Sequence, residues 1–300
     1  VIMGIVETKS SYVLGIDLGT STSIASVYTK GKSRIIKIEG KEYIPSVVSF
    51  LDSDTIIVGA QAKGRAIIDS ENTIESIKRH MGEEGYTVKV FNEEYTPQQI
   101  SAEIIQRIVE AAMNSEDFDS KGKLKYAVIC VPANFTDNAK KATIEAAEIA
   151  GLEVLYLLEE PVAAAIRYGF NSSKDQNILV YDLGGGTFDV CILKAETEEE
   201  GNANYEILAK EGINKLGGDD FDRKLMELIL DTQKDQGVSR KKLKEAMQKL
   251  KEAAEMTKIE LSEADACNVM IPNIIQNEKG EWLNVDVEIE REEFNDRIEN

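Results

Sequence analysis

Two short runs of the sequence place an aspartate directly before a glycine-containing turn. The first run is G-I-D-L-G-T-S-T, starting at Gly15, and the second is Y-D-L-G-G-G-T-F, starting at Tyr181. When the runs are aligned on Asp17 and Asp182, the following leucine, glycine and threonine positions also match, at an offset of 165 residues. A repeat of this length indicates a duplicated domain rather than a solenoid.

The residue types in these turns suit the binding of a phosphate with its cation. Glycine lets backbone N–H groups approach a phosphate closely, and Mg²⁺ keeps most of its waters beside one or two carboxylates. The pair of turns therefore predicts a magnesium–nucleotide site between two related lobes, with Asp17 and Asp182 facing one ion. The predicted phosphate-binding residues are Gly19, Thr20, Ser21 and Thr22 in the first turn and Gly184, Gly185, Gly186 and Thr187 in the second.

Composition and missing motifs exclude several other classes of function. The formal net charge of −19 disfavours a nucleic-acid binder, which needs a basic surface. The single histidine, His80, leaves no ordinary zinc cluster, and the Walker and Rossmann glycine patterns are both absent. The three cysteines are far apart, which favours free thiols in a reducing cytoplasm, and no apolar run approaches the length of a membrane span.

The periodicity of apolar residues predicts alternating strands and helices. A strand, a turn and a second strand are expected over residues 12–28 and again over 177–193, with further strands over 124–131, 154–158 and 282–289. Helices are expected to begin at Thr96-Pro97, near Thr136 and at Glu160, and over residues 218–229, 240–262 and 291–300. We expect the last helix to find nothing to pack on. Together these elements predict an α/β fold of two lobes.

The apolar faces of two helices are predicted from their spacing. The face of the helix that begins at Thr96-Pro97 consists of Ile100, Ile104, Ile105 and Ile108. The face of the helix over 240–262 consists of Leu243, Met247, Leu250, Ala254 and Leu261. We expect both faces to be buried.

The two turns resemble the phosphate motifs of the actin and sugar-kinase superfamily and, more narrowly, of the seventy-kilodalton heat-shock chaperone family in its bacterial, DnaK-type form. The resemblance covers about residues 12–298 in family order. Its further signatures are E-Y-I-P-S-V-V from Glu42, N-T-I-E-S-I-K-R-H-M-G from Asn72, V-P-A-N-F-T-D from Val131, E-P-V-A-A-A-I-R-Y-G from Glu160, L-G-G-D-D-F-D from Leu216 and E-M-T-K-I-E-L-S from Glu255.

The resemblance implies an actin-like ATPase fold with two duplicated lobes. Lobe I would span residues 1–172, with a small subdomain at about 46–95. Lobe II would span residues 173–300, with a small subdomain at about 217–290. The resemblance further implies that the C-terminal part of lobe II, the interdomain linker and the peptide-binding domain lie outside this sequence.

Roles for individual residues follow from the resemblance, position by position. Lys78 matches the lysine that orients the attacking water, although the residues alone do not choose among the lysines and an isolated lysine is more often on the surface. Glu160 matches the acid that relays the nucleotide state. The implied catalytic residues are Lys78, Glu160, Asp182 and Thr187, and the implied residues for Mg²⁺ and K⁺ are Asp17, Asp182 and Asp189. The implied residues for the rest of the nucleotide are Gly217, Gly218, Glu255, Lys258 and Ser262.

The resemblance implies a chaperone domain that hydrolyses ATP to ADP and phosphate and uses the cycle to bind and release unfolded peptides. The implied partners are a J-domain co-chaperone, for which Pro132 and Lys140 lie at the coupling positions, a nucleotide exchange factor and peptide clients; neither nucleic acid nor a membrane is expected. Two positions depart from the family pattern, because Ile259 replaces an arginine and Asn134 replaces an aromatic residue. Alternatives are a non-catalytic module that only binds partners, a sugar or acetate kinase, or a filament-forming actin relative.

Overall fold

A computed structural model describes residues 11–29, 32–116, 118, 123–168, 175–197, 203–232, 240–276 and 280–299. It divides into two compact units, Val1–Lys215 and Leu216–Asn300. The predicted boundary between lobes, at residues 172 and 173, differs from this division and stays a prediction. None of the helices in the described ranges has the length and apolar character needed to cross a membrane.

The first unit contains most of the strands. In chain order they are β1 (Ser11–Leu18), β2 (Thr22–Thr29), β3 (Lys32–Ile35), β4 (Ile44–Pro45), β5 (Val48–Phe50), β6 (Ile56–Val58), β7 (Thr73–Ile74), β8 (Val88–Val90), β9 (Glu93–Tyr95), β10 (Lys123–Val131), β11 (Glu153–Glu159), β12 (Gln176–Leu183), β13 (Phe188–Thr197) and β14 (Ala203–Ile213). Its helices are α1 (Ala60–Arg65), α2 (Pro97–Met113), α3 (Asp137–Ile149) and α4 (Glu160–Tyr168), with a 3-10 helix at Ile77–His80.

A six-stranded mixed sheet carries the first turn. Its order is β11-β10-β1-β2-β3, and β4 pairs with β2. β1 runs antiparallel to β2 and parallel to β10, and β10 runs parallel to β11. The strands predicted over 12–28, 124–131 and 154–158 are therefore confirmed.

The helices α2 and α3 supply one side of the main core. Thr96 caps α2 through a capping box with Gln99, and Thr136 caps α3 by accepting the N–H of Ala139 at 3.2 Å. These caps satisfy N–H groups that have no partner within the helix. The predicted apolar face of α2 is confirmed, because its four isoleucines are all at most 1 % exposed.

A three-stranded antiparallel sheet, β12-β13-β14, carries the second turn. Ala165 of α4 packs with Cys191 and Leu193 of β13 in a small core. The other face of β12 shows Leu179 and Tyr181, which are 66 % and 68 % exposed. In the described residues the sheet is thus covered on one face and open on the other.

The second unit consists of α5 (Gly218–Asp231), α6 (Arg240–Glu260), β15 (Ala266–Gln276), β16 (Trp282–Glu290) and α7 (Arg291–Ile298). β15 and β16 form an antiparallel pair, and the buried faces of α5 and α6 pack with it in a separate core. The helices predicted over 218–229 and 240–262 and the strand over 282–289 are confirmed.

Two predictions for this unit are wrong. The helix α7 does find a packing surface, because Phe294 is buried in the core and Arg297 pairs with Asp231 of α5 at 2.5 Å. On α6, Leu250, Ala254 and Leu261 are buried as predicted, but Met247 is 39 % exposed because it lies off the face that meets the sheet. The side chain of Leu243 lies outside the described residues.

Candidate functional site

The parallel strands bring their carboxyl ends to one edge of the main sheet. Asp17 of β1 lies beside Cys130 of β10, and Val131 lies beside Glu159 at the end of β11. Glu160 follows directly as the first residue of α4. In open α/β sheets this edge is where ligands bind, and here it carries the carboxyl groups of Asp17 and Glu160.

The second hairpin repeats the strand register of the first. Asp17 lies opposite Ile24 across β1 and β2, and Asp182 lies opposite Asp189 across β12 and β13, so the partners are seven positions apart in both pairs. The two hairpins therefore share one register, while the duplication of whole lobes stays a prediction. The hairpins are unequal in chemistry, because the second copy places two carboxylates opposite each other.

Tight geometry holds the first turn. A Cβ on Gly19 would collide with the carbonyl oxygen of Thr22, so this position requires glycine. The Ser46 hydroxyl donates to the carbonyl of Gly19 at 2.8 Å, and the Ser46 N–H donates to the carbonyl of Ser21 at 2.9 Å. The role of Ser46 was missed from the sequence, and its only signal was its place in the Y-I-P-S-V-V run.

The two turns contact each other directly. A Cβ on Gly185 would collide with the hydroxyl of Ser21, and one on Gly186 would lie 2.7 Å from Cγ2 of Thr20. Gly184 donates its N–H to the carbonyl of Thr187 at 3.0 Å, which closes the second turn. The N–H of Gly184 therefore has a partner within the turn, and the phosphate-binding role of the three glycines stays a prediction.

Lys78 lies in the centre of this region and is buried. Its ammonium nitrogen is 2.7 Å from Oε1 of Glu160, and the side chains are only 7 % and 16 % exposed. The Phe135 ring lies 5.7 Å from the same nitrogen. The 3-10 helix that carries Lys78 ends at His80, which stacks on Tyr86. Lys78 is thus buried, whereas an isolated lysine more often lies on the surface. His80 packs against Tyr86.

Burial and crowding of like charges raise the pKa values of the carboxyl groups around Lys78. Asp17 keeps an exposed surface, yet desolvation by the protein around it is the first cause that raises its pKa, while Lys78 lowers this pKa and Glu160 and Asp182 raise it further. The pKa values of Asp182 and Asp189 are likewise raised by burial and then by Glu160. Asp17 and Asp182 thus lie within the electrostatic influence of both Lys78 and Glu160, and Asp189 within that of Glu160 and Asp182.

The carboxylates suit a cation that keeps its own waters. In the part of the chain that the structure describes, no three Asp, Glu, His or Cys side chains meet closely enough to ligate an ion directly. Yet Asp17, Asp182 and Glu160 oppose one another electrostatically with Lys78 as the neighbouring cation. A hydrated Mg²⁺ bound with phosphate would relieve that repulsion, so the donor set fits this ion.

The residues implied for the rest of the nucleotide lie in the second unit. The nitrogen of Lys258 lies 2.6 Å from Oδ1 of the buried Asp222 and 3.2 Å from the carbonyl of Gly218. The Ser262 hydroxyl donates to the carbonyl of Lys258 at 3.2 Å. At the start of α5, the Gly217 N–H donates to Asp220 at 3.0 Å. Lys258 therefore has structural partners, and a ligand role for it stays a prediction.

Glu255 and Ile259 lie on α6 with Lys258. Glu255 is half-buried, whereas Ile259, the departure from the family's arginine, is 61 % exposed. These positions are consistent with one helix face, and the adenosine role of Glu255 stays a prediction.

The loop after β10 is fastened to β14 by a lysine that the sequence reasoning missed. Lys210 donates to the carbonyl of Ala133 at 2.5 Å and lies 3.2 Å from Oε1 of Glu159. The same carboxylate oxygen lies 3.7 Å from the nitrogen of Lys140, and Pro132 is buried in this loop. The two predicted coupling positions, Pro132 and Lys140, thus share a neighbourhood with Glu159 and Lys210.

Comparison with known proteins agrees with these features. The family model described as Hsp70 protein matches residues 13–87 and 83–300. The Chaperone protein DnaK of Thermotoga neapolitana is 44 % identical over 290 residues, which cover 95 % of this chain and 47 % of that protein. The chain thus spans about half the length of this curated relative. It belongs to the Hsp70 family and is of the DnaK type.

Proposed function

We infer that this chain binds ATP or ADP with Mg²⁺ at the two glycine turns and forms the ATP-hydrolysing domain of a chaperone. Membership of the Hsp70 family implies the actin-like ATPase fold. The observation that carries the proposal is the buried pair of Lys78 and Glu160, 2.7 Å apart, beside Asp17 and Asp182. A buried lysine among several carboxylates is an arrangement suited to phosphate chemistry.

Each side chain has a proposed task in phosphoryl transfer to water. Lys78 donates hydrogen bonds that hold the attacking water and a γ-phosphate oxygen, and Glu160 fixes the position of its ammonium group. Thr187 orients the same water, while Asp17, Asp182 and Asp189 are proposed to hold hydrated Mg²⁺ and the accompanying K⁺. A bound Mg²⁺ supplies neutralisation of the charge that develops on the phosphate oxygens.

The backbone and hydroxyl groups of the turns are proposed to hold the phosphates. Gly19, Thr20, Ser21 and Thr22 act from the first turn and Gly184, Gly185 and Gly186 from the second. Gly217, Gly218, Glu255, Lys258 and Ser262 are proposed for the nucleoside. Lys258 would exchange its contact with Asp222 for a ligand contact, since both need the same ammonium group.

The cycle of the whole protein is part of the proposal, because the chain spans about half of its relative's length. We propose that ATP hydrolysis is coupled to the binding and release of unfolded peptides, with a J-domain co-chaperone and a nucleotide exchange factor as partners. Pro132 and Lys140 would transmit the nucleotide state. All three cysteines are free thiols, which supports a location in the reducing cytoplasm.

The test is a binding and single-turnover experiment with three proteins. Calorimetry should show MgADP binding to the unaltered chain, and single-turnover hydrolysis of MgATP should fall at least a hundredfold in Lys78→Ala, the scale of losing one preorganised electrostatic group (about 10²–10³). Lys89→Ala is the matched control, because Lys89 is exposed. An unchanged rate in Lys78→Ala would remove its catalytic role, and absence of MgADP binding would remove the site.

One observation favours a second function, a non-catalytic module that binds partners only. The two turns touch each other at Ser21 and Gly185, so a phosphate between them has to part them. A pull-down of the J-domain partner and exchange factor without nucleotide separates the two functions. Partner binding together with no detectable MgADP binding would favour the module.

A further inference from the structure

A side chain from the loop after β10 reaches the second hairpin. The loop turns at Pro132, where the Phe135 N–H donates to the Pro132 carbonyl at 3.1 Å. Asn134 in this turn donates from Nδ2 to Oδ1 of Asp189 at 3.0 Å. The bond joins residues 55 positions apart and lies in the partly buried interior. Asn134 stands where the family resemblance has an aromatic residue, so the donor is a property of this chain.

The backbone of β14 leaves room for this pair. Gly212 lies opposite Asp189 in the register of β13 and β14. A Cβ at Gly212 would collide with Nδ2 of Asn134 and would lie 2.8 Å from Oδ1 of Asp189 and 2.5 Å from the carbonyl of Phe188. The absence of a side chain at position 212 therefore lets the amide and the carboxylate meet.

A second hydrogen bond attaches the loop after β10 to β14, close to Gly212. Lys210, two residues before Gly212 on β14, donates to the carbonyl of Ala133 at 2.5 Å. Two successive loop residues, Ala133 and Asn134, are thus fastened to the β13–β14 pair. The hydrogen bond from Lys210 to Ala133 therefore restricts movement of the neighbouring Asn134 away from Asp189.

The hydrogen bond from Asn134 constrains the carboxylate of Asp189. Asp189 is 3 % exposed and lies opposite Asp182 across the strand pair. The side-chain hydrogen bond from Asn134 restricts rotation of the Asp189 carboxylate, and a backbone hydrogen bond from the same residue acts in the same direction on the pKa of Asp189. Groups that orient a ligating side chain in this way typically change cation affinity by about 10- to 100-fold when removed.

We propose that Asn134 is a positioning residue for Asp189 and fixes its carboxylate for the cation that accompanies the nucleotide phosphates. This role rests on the proposed function, because the cation binds together with the nucleotide. An aromatic residue at position 134 could pack in the loop but could not donate the same amide hydrogen bond. At position 134 this chain therefore has a hydrogen bond to Asp189 where an aromatic residue would contribute packing.

The test measures cation binding with Mn²⁺ as a paramagnetic probe in the presence of ADP. Asn134→Leu keeps the volume and removes the donor, and Asn134→Ala removes both; Asn138→Ala at an exposed position of α3 is the matched control. We expect both Asn134 variants to weaken Mn²⁺ binding about tenfold or more. Affinity for ADP in EDTA and the melting temperature of Asn134→Leu without ligand should stay close to those of the unaltered chain.

Two results would each exclude the positioning role of Asn134, and they have different consequences for the proposed function. Normal Mn²⁺ affinity in Asn134→Leu, with normal binding by the unaltered chain, would make Asn134 a packing residue while leaving the proposed function intact. Failure of the unaltered chain to bind Mn²⁺ and ADP would remove the proposed function and the positioning role with it.

Discussion

At the residue scale, the site is defined by one buried cation among crowded carboxylates. Lys78 pairs with Glu160 and also lowers the pKa values of Asp17 and Asp182, which burial and neighbouring carboxylates raise. The Lys78–Glu160 pair is itself largely buried, so each charge of the pair relies on the other for compensation. Removing the lysine should therefore affect stability as well as chemistry.

Replacement of Lys78 tests that dependence. Lys78→Met leaves Glu160 buried and uncompensated, so we expect a loss of about 3–5 kcal/mol in the free energy of unfolding. Adding Glu160→Gln removes the orphaned charge and should recover part of the loss. Urea denaturation measures both, with Lys89→Met as an exposed control that should change by less than about 0.5 kcal/mol. A loss in Lys78→Met no larger than in the control would show that the pair contributes nothing to stability.

The thiol of Cys130, which lies beside Asp17 in the sheet, is affected by the charges of the same carboxylates. Burial first, and then the charges of Asp17 and Glu160, raise the pKa of Cys130 from 9.0 to about 12. Because alkylation needs the thiolate, the folded protein should label at Cys130 about a thousandfold more slowly at pH 8 than an ordinary cysteine. The rate should keep rising about tenfold per pH unit through pH 10 instead of levelling near pH 9.

Mass spectrometry after timed iodoacetamide treatment gives the rate at each cysteine. Asp17→Asn removes one of the raising charges and should speed labelling of Cys130, while urea should bring all three cysteines to a common rate. Equal labelling of Cys130 in the folded and unfolded protein would contradict the raised pKa.

At the element scale, local chemistry made several helices and strands predictable. Thr96 and Gln99 form the capping box that their spacing predicts, and the isoleucines of α2 meet the core at helical intervals. The two hairpins followed from apolar strands that flank glycine turns. These features depend on residues within a few positions of one another, so the sequence displays them directly.

Long-range contacts were not predictable in the same way. Lys78 meets Glu160 across 82 positions, and Lys210 meets Ala133 across 77. The backbone of Ser76 has a φ of 54°, in the left-handed region, and precedes the 3-10 helix that carries Lys78. Phe294 is buried in a core built by α5, α6 and the β15–β16 pair. No pattern within a short window specifies such contacts, so the family resemblance was needed to single out Lys78.

The contact between the two turns can be tested with a pair of glycines. Gly185→Ala places a Cβ against Ser21 and should lower the free energy of unfolding by about 1–3 kcal/mol through overpacking. Gly184→Ala meets only ordinary contacts, 3.6 Å and 3.9 Å from Thr187 atoms, and should change it less. Urea denaturation compares them, and Ser21→Gly should rescue the first variant. Equal effects of the two alanines would show that the turns are not in contact in solution.

At the scale of the whole molecule, the chain has two units with separate cores. The first unit buries isoleucines of β1, β10 and α2 together, whereas the second buries residues of α5, α6, β15, β16 and α7. Ile105 and Leu250 are both fully buried, one in each core. Stability in such a molecule need not be uniform, because a cavity in one core removes contacts from that core alone.

Two alanine substitutions measure how far the units unfold independently. Ile105→Ala and Leu250→Ala each remove a fully buried aliphatic side chain and should each cost about 2–5 kcal/mol in the unit that contains it. Hydrogen exchange followed by mass spectrometry should then show faster exchange in β1 and β10 for Ile105→Ala, and in β15 and β16 for Leu250→Ala. Each variant serves as the control for the other. Acceleration of both strand groups by either variant would mean that the two cores unfold as one cooperative unit.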